Sequence, residues 1–400
     1  MDVAMFGNGS TGLLVPIEGH DPRRGPWRHH AFVPEPLSTS MPALAPQTYL
    51  GVANARAALA ALDSTARQLP NPTLLRRPTL RREAQSTSAL EGTYAPLSAV
   101  LTADEDAPPS TDLREILNYV AVATQAFAAT AEGRPLNLSG LCNLQATLVA
   151  GTPGESTSSG DVRDIPVVIG RRADATPDQL PVQAARFVPS PPGEQLRSDV
   201  QALVDWMQVD HRATIDPVVA AAMAHYQFET LHPFHDGNGR LGRLLIVVQL
   251  HAAGVLSEPT LTVSPWFESR RTEYYDHLLA VSAHGAWDAF VRFFAAGIAE
   301  SAALTHRQML ALVRAQDELK DVVRRSPLRA DTAHLVIDHA VANPVFTVRS
   351  VERDLGLSYG RANAVVAQLV ELGVLECLDP NAYNRRFFAP QVHEVLLTVA

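Results

Sequence analysis

The chain has 400 residues, and its 42 acidic against 33 basic side chains give a formal net charge of −9. This balance argues against a protein whose overall charge attracts nucleic acid or anionic lipid, so any such contact has to be local. No apolar run approaches the roughly 20 residues of a membrane span, and the N-terminal residues lack the pattern of a signal peptide. Cys142 and Cys377 lie far apart and outside any metal-binding pattern. We therefore expect a reduced, cytoplasmic protein of two to three domains, without membrane contact.

The first 47 or so residues are rich in Gly, Pro and Ser and show little periodicity, which predicts a partly ordered arm. Residues 7–12, Gly-Asn-Gly-Ser-Thr-Gly, match the dinucleotide fingerprint G-x-G-x-x-G. That fingerprint requires a strand before it and a helix after it. Only a short stub precedes it here, and Pro16 interrupts any helix that follows, so we reject a dinucleotide site.

Helical periodicity dominates the following 280 residues and predicts a mostly α fold. Two short β-like runs, 165–170 and 185–192, interrupt the helices and predict a hairpin. One helix is expected to start at Ser139 as its N-cap. The other predicted helices cover residues 50–66, 78–91, 112–129, 194–209, 217–231, 244–253, 268–283, 287–303 and 305–325.

The last part of the chain, residues 328–400, has the pattern of a small winged helix-turn-helix domain. Helices are predicted over residues 333–342, 347–357 and 358–372, and two wing strands over 374–378 and 385–388, joined by 379–381. A DNA-reading helix usually presents several basic and amide side chains. The few in this segment, such as Arg361 and Asn363, are offset by many carboxylates. We favour a role in protein interaction or dimerisation, and DNA binding stays an open alternative.

The most informative stretch is residues 231–243, Leu-His-Pro-Phe-His-Asp-Gly-Asn-Gly-Arg-Leu-Gly-Arg. Gly237 and Gly239 allow successive backbone N–H groups to turn towards one anion, and a helix starting there adds its positive end. Arg240 and Arg243 share a helix face and can reach outer phosphate oxygens. The combination predicts a site that binds a polyphosphate.

Two further side chains of this stretch suggest chemistry at that phosphate. Asp236 supplies the oxygen ligand that Mg²⁺ prefers, and His232 is a natural general base for a hydroxyl nucleophile. His232 and His235 together resemble half of a metal site, but no third ligand follows at a familiar spacing. A Gly-Asn-Gly turn or an arginine pair alone is common in proteins, whereas the complete string is not.

Residues 232–243 resemble the signature HPFx(D/E)GNGRxxR of Fic-domain proteins at every defining position. Most Fic proteins transfer AMP from ATP to a Ser, Thr or Tyr hydroxyl of a target protein. The resemblance implies that His232 is the base and that Asp236 holds Mg²⁺ or Mn²⁺. It also implies a nucleotide-binding set formed by Gly237, Asn238, Gly239, Arg240, Leu241, Gly242 and Arg243.

The resemblance covers about residues 46–303 and then the tail. It implies that the hairpin is a flap that aligns a target segment by adding it as a strand, with Val168, Ile169 and Gly170 as contact residues. It also places Tyr274 and Tyr275 near the adenine. Ordinary core packing explains these two aromatic residues nearly as well.

A second motif lies at residues 86–92, Ser-Thr-Ser-Ala-Leu-Glu-Gly. Ser88 and Glu91 have the spacing of a helix capping box. However, the preceding residues already look helical, so Glu91 falls near a helix end, where the dipole disfavours its charge. The stretch resembles the inhibitory motif (S/T)xxxE(G/N) of regulated Fic proteins, with Thr87 first and Glu91 fifth. This implies that Glu91 pairs with Arg243 in place of the ATP γ-phosphate.

These observations predict a self-inhibited protein AMP transferase, with a homodimer as a further expectation from the resemblance. Alternatives are an enzyme that also or mainly removes AMP, the use of another donor, and a DNA-binding regulator with a nucleotide-sensing core. The predicted parts are an N-terminal arm and helices (1–92, including an inhibitory helix 78–91), a catalytic core (93–303, with the flap at about 163–192 and the motif at 232–243), a linking helix (304–327) and the tail (328–400).

Overall fold

The computed structural model describes the chain except residues 8, 69–75, 104–107, 329, 379, 383–384 and 399–400, and the side chains of 330 and 398. The helices are α1 (Pro46–Gln68), α2 (Arg76–Glu91), α3 (Leu97–Thr102), α4 (Thr111–Ala131), α5 (Leu138–Val149), α6 (Pro181–Ala184), α7 (Glu194–Gln208), α8 (Pro217–Leu231), α9 (Asn238–Ala252), α10 (Ser264–Ser269), α11 (Arg271–His284), α12 (Trp287–Arg324), α13 (Ala330–Ala342), α14 (Val348–Leu355), α15 (Tyr359–Glu371) and α16 (Pro390–Thr398). The strands are β1 (Gly12–Asp21), β2 (Gly25–Pro34), β3 (Ile169–Arg171), β4 (Ala185–Phe187), β5 (Phe346–Thr347), β6 (Glu376–Cys377) and β7 (Arg386–Phe388). The strands form only small sheets within the described residues, so the predicted mostly α fold class is confirmed.

The antiparallel helices α8 and α9 lie at the centre of the fold. The turn that connects them carries the candidate site. Asp216 caps α8 by accepting a hydrogen bond from the Val218 N–H at 2.8 Å, and Pro217 occupies the first turn. Nearly every residue of α8 is buried, because α1, α7, α9, α11, α12 and β2 all pack around it. A helix enclosed on all sides is a rigid support for the residues at its end.

The N-terminal arm was predicted incorrectly, because β1 and β2 form a regular antiparallel hairpin of ten paired residues per strand. Asp21 makes the turn: its Oδ1 accepts hydrogen bonds from the N–H groups of Arg23 and Arg24, and Gly25 takes φ +80°. Pro16 is tolerated since β2 is the only partner of β1 among the described strands. The hairpin packs against the flap through Phe32.

Several helix boundaries also differ from the predictions. The predicted helices 287–303 and 305–325 are one helix, α12, because no Gly or Pro separates them. The predicted helix 268–283 is two helices, since Arg270 leaves the helical region between α10 and α11. Asn137 and not Ser139 caps α5, accepting a hydrogen bond from the Gly140 N–H at 2.7 Å. None of these differences moves the site.

The C-terminal segment contains three helices, α13 to α15, and a sheet of strand order β5-β7-β6, followed by α16. The sequence pattern did not indicate α16, which packs on α12. The predicted turn at 379–381 falls partly outside the described residues. Assignment of this segment as a winged helix-turn-helix stays a prediction, as do the predicted domain boundaries.

Candidate active site

The turn between α8 and α9 is the feature around which the site is built. α8 ends at Leu231 and is followed by His232 as its C-cap. The left-handed backbone of His232 (φ 51°, ψ 61°) is the sole positive φ of a non-glycine residue in the described chain. Asn238 closes the turn, because its side chain accepts from the Phe234 N–H at 2.9 Å and donates to the Phe234 carbonyl at 2.8 Å. Phe234 itself is fully buried. The turn is therefore held by core packing as well as by hydrogen bonds.

The N-terminus of α9 forms the predicted anion-binding position. Gly237 precedes the helix with φ +83°, a conformation that a side chain would strain. Gly239 lies against the carboxylate of Glu91, and a Cβ on it would come within 2.0 Å of Glu91 Oε1. The helix end therefore already faces a negatively charged group, in the orientation that suits a phosphate.

Arg243 connects this helix end to α2. It is 0% exposed, and it donates from Nε to Thr87 Oγ1 at 2.7 Å and from Nη2 to the Thr87 carbonyl at 3.0 Å. Its Nη2 also lies 2.5 Å from Glu91 Oε1. Burial raises the pKa of Glu91, but the Arg243 guanidinium outweighs that effect, and the pKa lies below its ordinary value. Glu91 is therefore a carboxylate at neutral pH, paired with Arg243.

Thr87, Ser88 and Glu91 lie in the last turns of α2, which begins as early as Arg76. Ser88 therefore does not cap this helix, and its buried hydroxyl has no hydrogen-bond partner among the described residues. The capping-box alternative is wrong for this reason.

Arg240 is held by two carboxylates. It is 1% exposed, with Nη1 2.7 Å from Glu115 Oε1 and Nη2 3.2 Å from Asp236 Oδ1. Glu115 also accepts a hydrogen bond from Thr93 Oγ1 at 2.7 Å. Glu115 lies in α4 and was not singled out in the sequence, because a lone glutamate in an amphipathic helix carries no local signal. Leu241 faces the core, and Gly242 packs against α8.

Asp236 meets the requirements of a Mg²⁺ ligand in a nucleotide site. Its Oδ1 is engaged by the Gly237 N–H at 2.6 Å and by Arg240, while 43% of the side chain is exposed. Among the described residues no cluster of three or more His, Cys, Asp or Glu side chains is placed to hold a metal. Mg²⁺ usually needs only one or two carboxylates when phosphates and water complete its shell. The donor set therefore fits a metal that arrives with a phosphate substrate.

The side chain of His232 is a neutral imidazole at pH 7. Burial and the nearby charge of Arg163 lower the pKa of His232 to about 4, against the opposing carboxylates of Glu91 and Asp236. Its Nδ1 is buried without a hydrogen-bond partner in the described part of the chain. At pH 7 the side chain can accept a proton, as a general base must. His235 lies further out and is 3.3 Å from Asp164.

A cavity of about 220 Å³ opens beside this turn, beneath the hairpin of β3 and β4. Ile169, Gly170, Tyr275, Glu91 and Glu229 are among its lining residues. Val168 is exposed just before β3. β3 pairs only with β4 among the described strands, through Ile169 opposite Phe187, so its other edge is open for pairing. The hairpin is shorter than predicted, because 165–168 is not extended strand and α6 precedes β4.

Tyr274 and Tyr275 face different surroundings. Tyr274 is 0% exposed, and its hydroxyl lies 2.7 Å from His225 Nε2, so it packs in the core behind the cavity. His225 in turn lies 3.0 Å from the Gly242 carbonyl through Nδ1, and burial lowers the pKa of His225 to about 3. This neutral histidine fixes the second turn of α9. Only Tyr275 reaches the cavity wall.

Two other residues near His232 were missed by sequence reasoning. Arg163 lies under the turn, 1% exposed, with Nε 2.8 Å from the His232 carbonyl. Glu229 lies one turn before His232; its Oε1 has no hydrogen-bond partner among the described residues, and burial raises the pKa of Glu229 to about 7. The spacing of Glu229 from His232 was a usable signal, whereas Arg163 is distant in sequence.

Two family models match the chain. The model for the Fic/DOC family N-terminal region matches residues 50–128, and the Fic/DOC family model matches residues 135–250, which include the whole turn described above. The chain is a Fic domain protein. The Fic motif itself, residues 232–243, is the segment that joins α8 to α9.

Named relatives are similar over part of this Fic chain. The protein adenylyltransferase Fic of Drosophila sechellia is 38% identical over 114 residues, which are 28% of this chain and 22% of that protein. The protein of the same name from Drosophila yakuba is 39% identical over 114 residues, 28% of this chain and 21% of its own. This chain thus aligns with about a fifth of the length of these relatives.

Solved structures show the same Fic fold at low identity. A Fic family protein from Desulfovibrio desulfuricans has a TM-score of 0.54 at 20% identity, covering 88% of this chain and 98% of its own. Fic-1 (residues 134–508) from C. elegans has a TM-score of 0.50 at 21% identity, covering 67% of this chain and 74% of its own. Identity at this level supports the fold alone. None of the helices in the described part of the chain combines the length and apolar content needed to cross a bilayer.

Proposed function

We propose that this chain is a protein AMP transferase that moves adenylate from ATP to a hydroxyl side chain of a target protein and is inhibited by its own Glu91. The observation that carries the proposal is the 2.5 Å ion pair between Arg243 and Glu91 at the N-terminus of α9, beside a neutral His232. The adenylyltransferase names of the Drosophila relatives support the reaction class.

In the proposed reaction the target hydroxyl oxygen attacks the α-phosphorus of ATP, the bond from that phosphorus to the bridging oxygen breaks, and diphosphate leaves. His232 takes the hydroxyl proton, which its lowered pKa permits at neutral pH. The backbone N–H groups at the start of α9 and the Arg240 and Arg243 guanidinium groups bind the phosphate oxygens. Asp236 would hold Mg²⁺, which would neutralise charge on the phosphates. The open edge of β3 supports docking of an extended target segment.

Inhibition follows from competition for Arg243. Glu91 occupies the guanidinium edge that a terminal phosphate would use, and both are anions with oxygens in similar positions. While Glu91 holds Arg243, the phosphate chain of ATP is displaced, so its α-phosphorus is misaligned with the attacking hydroxyl. A misalignment of about 1 Å can lower a rate by roughly two orders of magnitude.

The test is labelling of a host lysate by the purified chain and ATP tagged at the α-phosphate. We expect Glu91→Gly to increase protein labelling at least about tenfold, which corresponds to roughly 1.4 kcal/mol in the barrier. Combining it with His232→Ala should abolish the increase. Glu371→Gly is the matched control, since Glu371 is likewise the last residue of a helix, α15, and should leave labelling at the wild-type level.

Two results would contradict the proposal. Equal labelling by wild type and Glu91→Gly would exclude inhibition by Glu91. Labelling that survives His232→Ala, or that follows a γ-phosphate tag instead of the α-phosphate tag, would exclude adenylate transfer at this site.

A further inference from the structure

Arg163 joins the flap to the turn that carries His232. It is 1% exposed and lies six residues before β3. Its Nε donates to the His232 carbonyl at 2.8 Å, and its Nη2 donates to the Leu231 carbonyl at 3.3 Å. Its own backbone N–H donates to the Pro233 carbonyl at 2.8 Å. Three successive residues of the turn are therefore bound by one arginine.

The same guanidinium also binds both arms of the flap. Nη1 donates to the carbonyl of Ile165, which leads into β3, at 3.3 Å, and Nη2 makes a short hydrogen bond to the carbonyl of Ser190, which follows β4. A planar guanidinium with donors in a fixed fork holds these groups in one relative arrangement. The flap and the base are consequently linked through a single buried side chain.

We propose that Arg163 is a positioning residue, which holds His232 in its left-handed conformation and aligns it with a target segment on the flap. The inference rests on the proposed role of His232 as base. A left-handed backbone costs a non-glycine residue free energy and persists only where the surroundings impose it. The hydrogen bonds of Arg163 to the carbonyls of residues 231, 232 and 233 impose it here.

The charge of Arg163, like its hydrogen bonds, favours the state of His232 that a base requires. Burial lowers the pKa of Arg163 to about 10, so it is still charged at pH 7. The charged groups that influence His232 are Arg163, which disfavours its protonation, and the carboxylates of Glu91 and Asp236, which favour it. Removing the Arg163 charge should therefore raise the pKa of His232 and reduce the neutral fraction of the base at mildly acidic pH.

Two substitutions separate geometry from charge. Arg163→Lys keeps the charge and loses the fork, and Arg163→Gln loses both. In the Glu91→Gly background we expect both variants to lower the rate at saturating ATP by about 10- to 100-fold with little change in the KM for ATP, since alignment of the base is lost and the phosphate contacts are not. Only Arg163→Gln should move the acidic limb of the pH–rate profile to higher pH.

Arg186→Gln is the matched control, because Arg186 is a flap arginine on β4 that pairs with Asp276 and has no hydrogen bond or ion pair to the turn among the described residues. It should leave the acidic limb unmoved. A purely structural role for Arg163 would lower the activity of both Arg163 variants without moving the limb for Arg163→Gln, and would overturn the charge component. An unchanged rate in Arg163→Lys would overturn the geometric component.

A titration of ¹⁵N-histidine resonances in the wild-type chain does not require an active enzyme. His232, assigned by its disappearance in His232→Gln, should stay neutral down to about pH 5. Titration near the ordinary value of about 6.5 would overturn the charge component of the inference, even if AMP transfer is confirmed. Conversely, a chain with no transferase activity but with a suppressed His232 pKa would count against the proposed function alone.

Discussion

Three arginines in the described part of the chain are at most 1% exposed, and the charge of each is compensated differently. Arg243 has the carboxylate of Glu91 with the hydroxyl and carbonyl of Thr87, Arg240 has two carboxylates, and Arg163 has only carbonyl groups. A buried charge is tolerated only when paired or fully hydrogen-bonded. Two of these carboxylates come from outside the motif helices: Glu91 is 32% exposed and Glu115 is 14% exposed. We therefore expect Glu91 to be the partner that a substrate phosphate replaces.

Gly154 lies against the Asp236 carboxylate, and this contact allows a prediction about metal binding. A Cβ at Gly154 would lie 1.9 Å from Asp236 Oδ2, so Gly154→Ala must displace either the loop or the carboxylate. We expect the Mg²⁺ concentration for half-maximal ATP binding to rise by about tenfold, which corresponds to roughly 1.4 kcal/mol. Calorimetric titration of ATP at several Mg²⁺ concentrations measures this shift.

Gly51→Ala is the control, since an added Cβ there meets open space in α1. It should stabilise the helix by roughly 0.5 to 1 kcal/mol and leave Mg²⁺ dependence unaltered. Unchanged Mg²⁺ dependence in Gly154→Ala would argue against Asp236 as the metal ligand.

At the scale of elements, α2 carries the proposed inhibitory contact at its C-terminal end, where Glu91 pairs with Arg243. It packs on α4, α9 and α10, so the end that carries Glu91 is integral to the core. Glu83 anchors the middle of the helix: its carboxylate accepts from the Ser264 N–H at 3.0 Å and the Ser264 hydroxyl at 2.5 Å. Burial raises the pKa of Glu83 to about 7, although these hydrogen bonds act in the opposite direction.

Glu83 predicts a pH dependence of stability. Between about pH 5 and 7 the glutamate is ionised in the unfolded chain, since its ordinary pKa is 4.5, but is still protonated in the folded protein. The folded state binds the extra proton, so stability falls as pH rises through this window and levels off above it. Glu83→Gln has no titrating proton at this position, so it does not lose stability in this way. We expect the difference in free energy of unfolding between Glu83→Gln and wild type to shift by roughly 1 to 3 kcal/mol in favour of the variant from pH 5 to pH 8.

Urea unfolding at several pH values measures this difference, with the exposed Glu371→Gln as the control. A difference between Glu83→Gln and wild type that does not vary with pH would show that Glu83 is ionised in the folded protein throughout the range.

At the scale of the whole molecule, the C-terminal segment contacts α2 directly. Arg77 Nη1 lies 2.5 Å from Asn343 Oδ1 at the end of α13, and Arg82 Nη1 donates to the Leu396 carbonyl of α16 at 3.3 Å. α13 and α16 both pack on α12. A change in the C-terminal segment can therefore reach Glu91 through one continuous helix of 16 residues.

Asn343→Ala tests this connection. Loss of its hydrogen bond to a charged group is expected to loosen α2 and to raise basal AMP transfer about two- to fivefold, below the increase from Glu91→Gly, and to speed amide exchange in α2. In the Glu91→Gly background it should change nothing further, because inhibition is already absent.

Asn363→Ala, which changes a partly exposed asparagine on α15, should leave both measurements at the wild-type level. If Asn343→Ala raised activity equally with and without Glu91, the effect would not pass through the inhibitory contact.

The sequence by itself determined the motif and the identities of its chemical groups. Residues 232–243 predict a phosphate-binding turn, because glycine spacing, helix periodicity and paired arginines are all local properties. The α8 boundaries were predicted correctly for the same reason, since Asp216 and Pro217 mark its start in the chain. The N-terminal hairpin also carried a local signal, the turn from Asp21 to Gly25, but glycine and proline content concealed it.

Only the tertiary structure decided which partners these groups have. The carboxylate on Arg240 comes from Glu115 in α4, and the clamp on His232 comes from Arg163, both far away in sequence. Tyr274 and Tyr275 are adjacent in the chain, yet one packs in the core and the other lines the cavity. The pKa values of His232, Glu83 and Glu229 depart from their ordinary values through burial, and burial depends on how separate helices pack together.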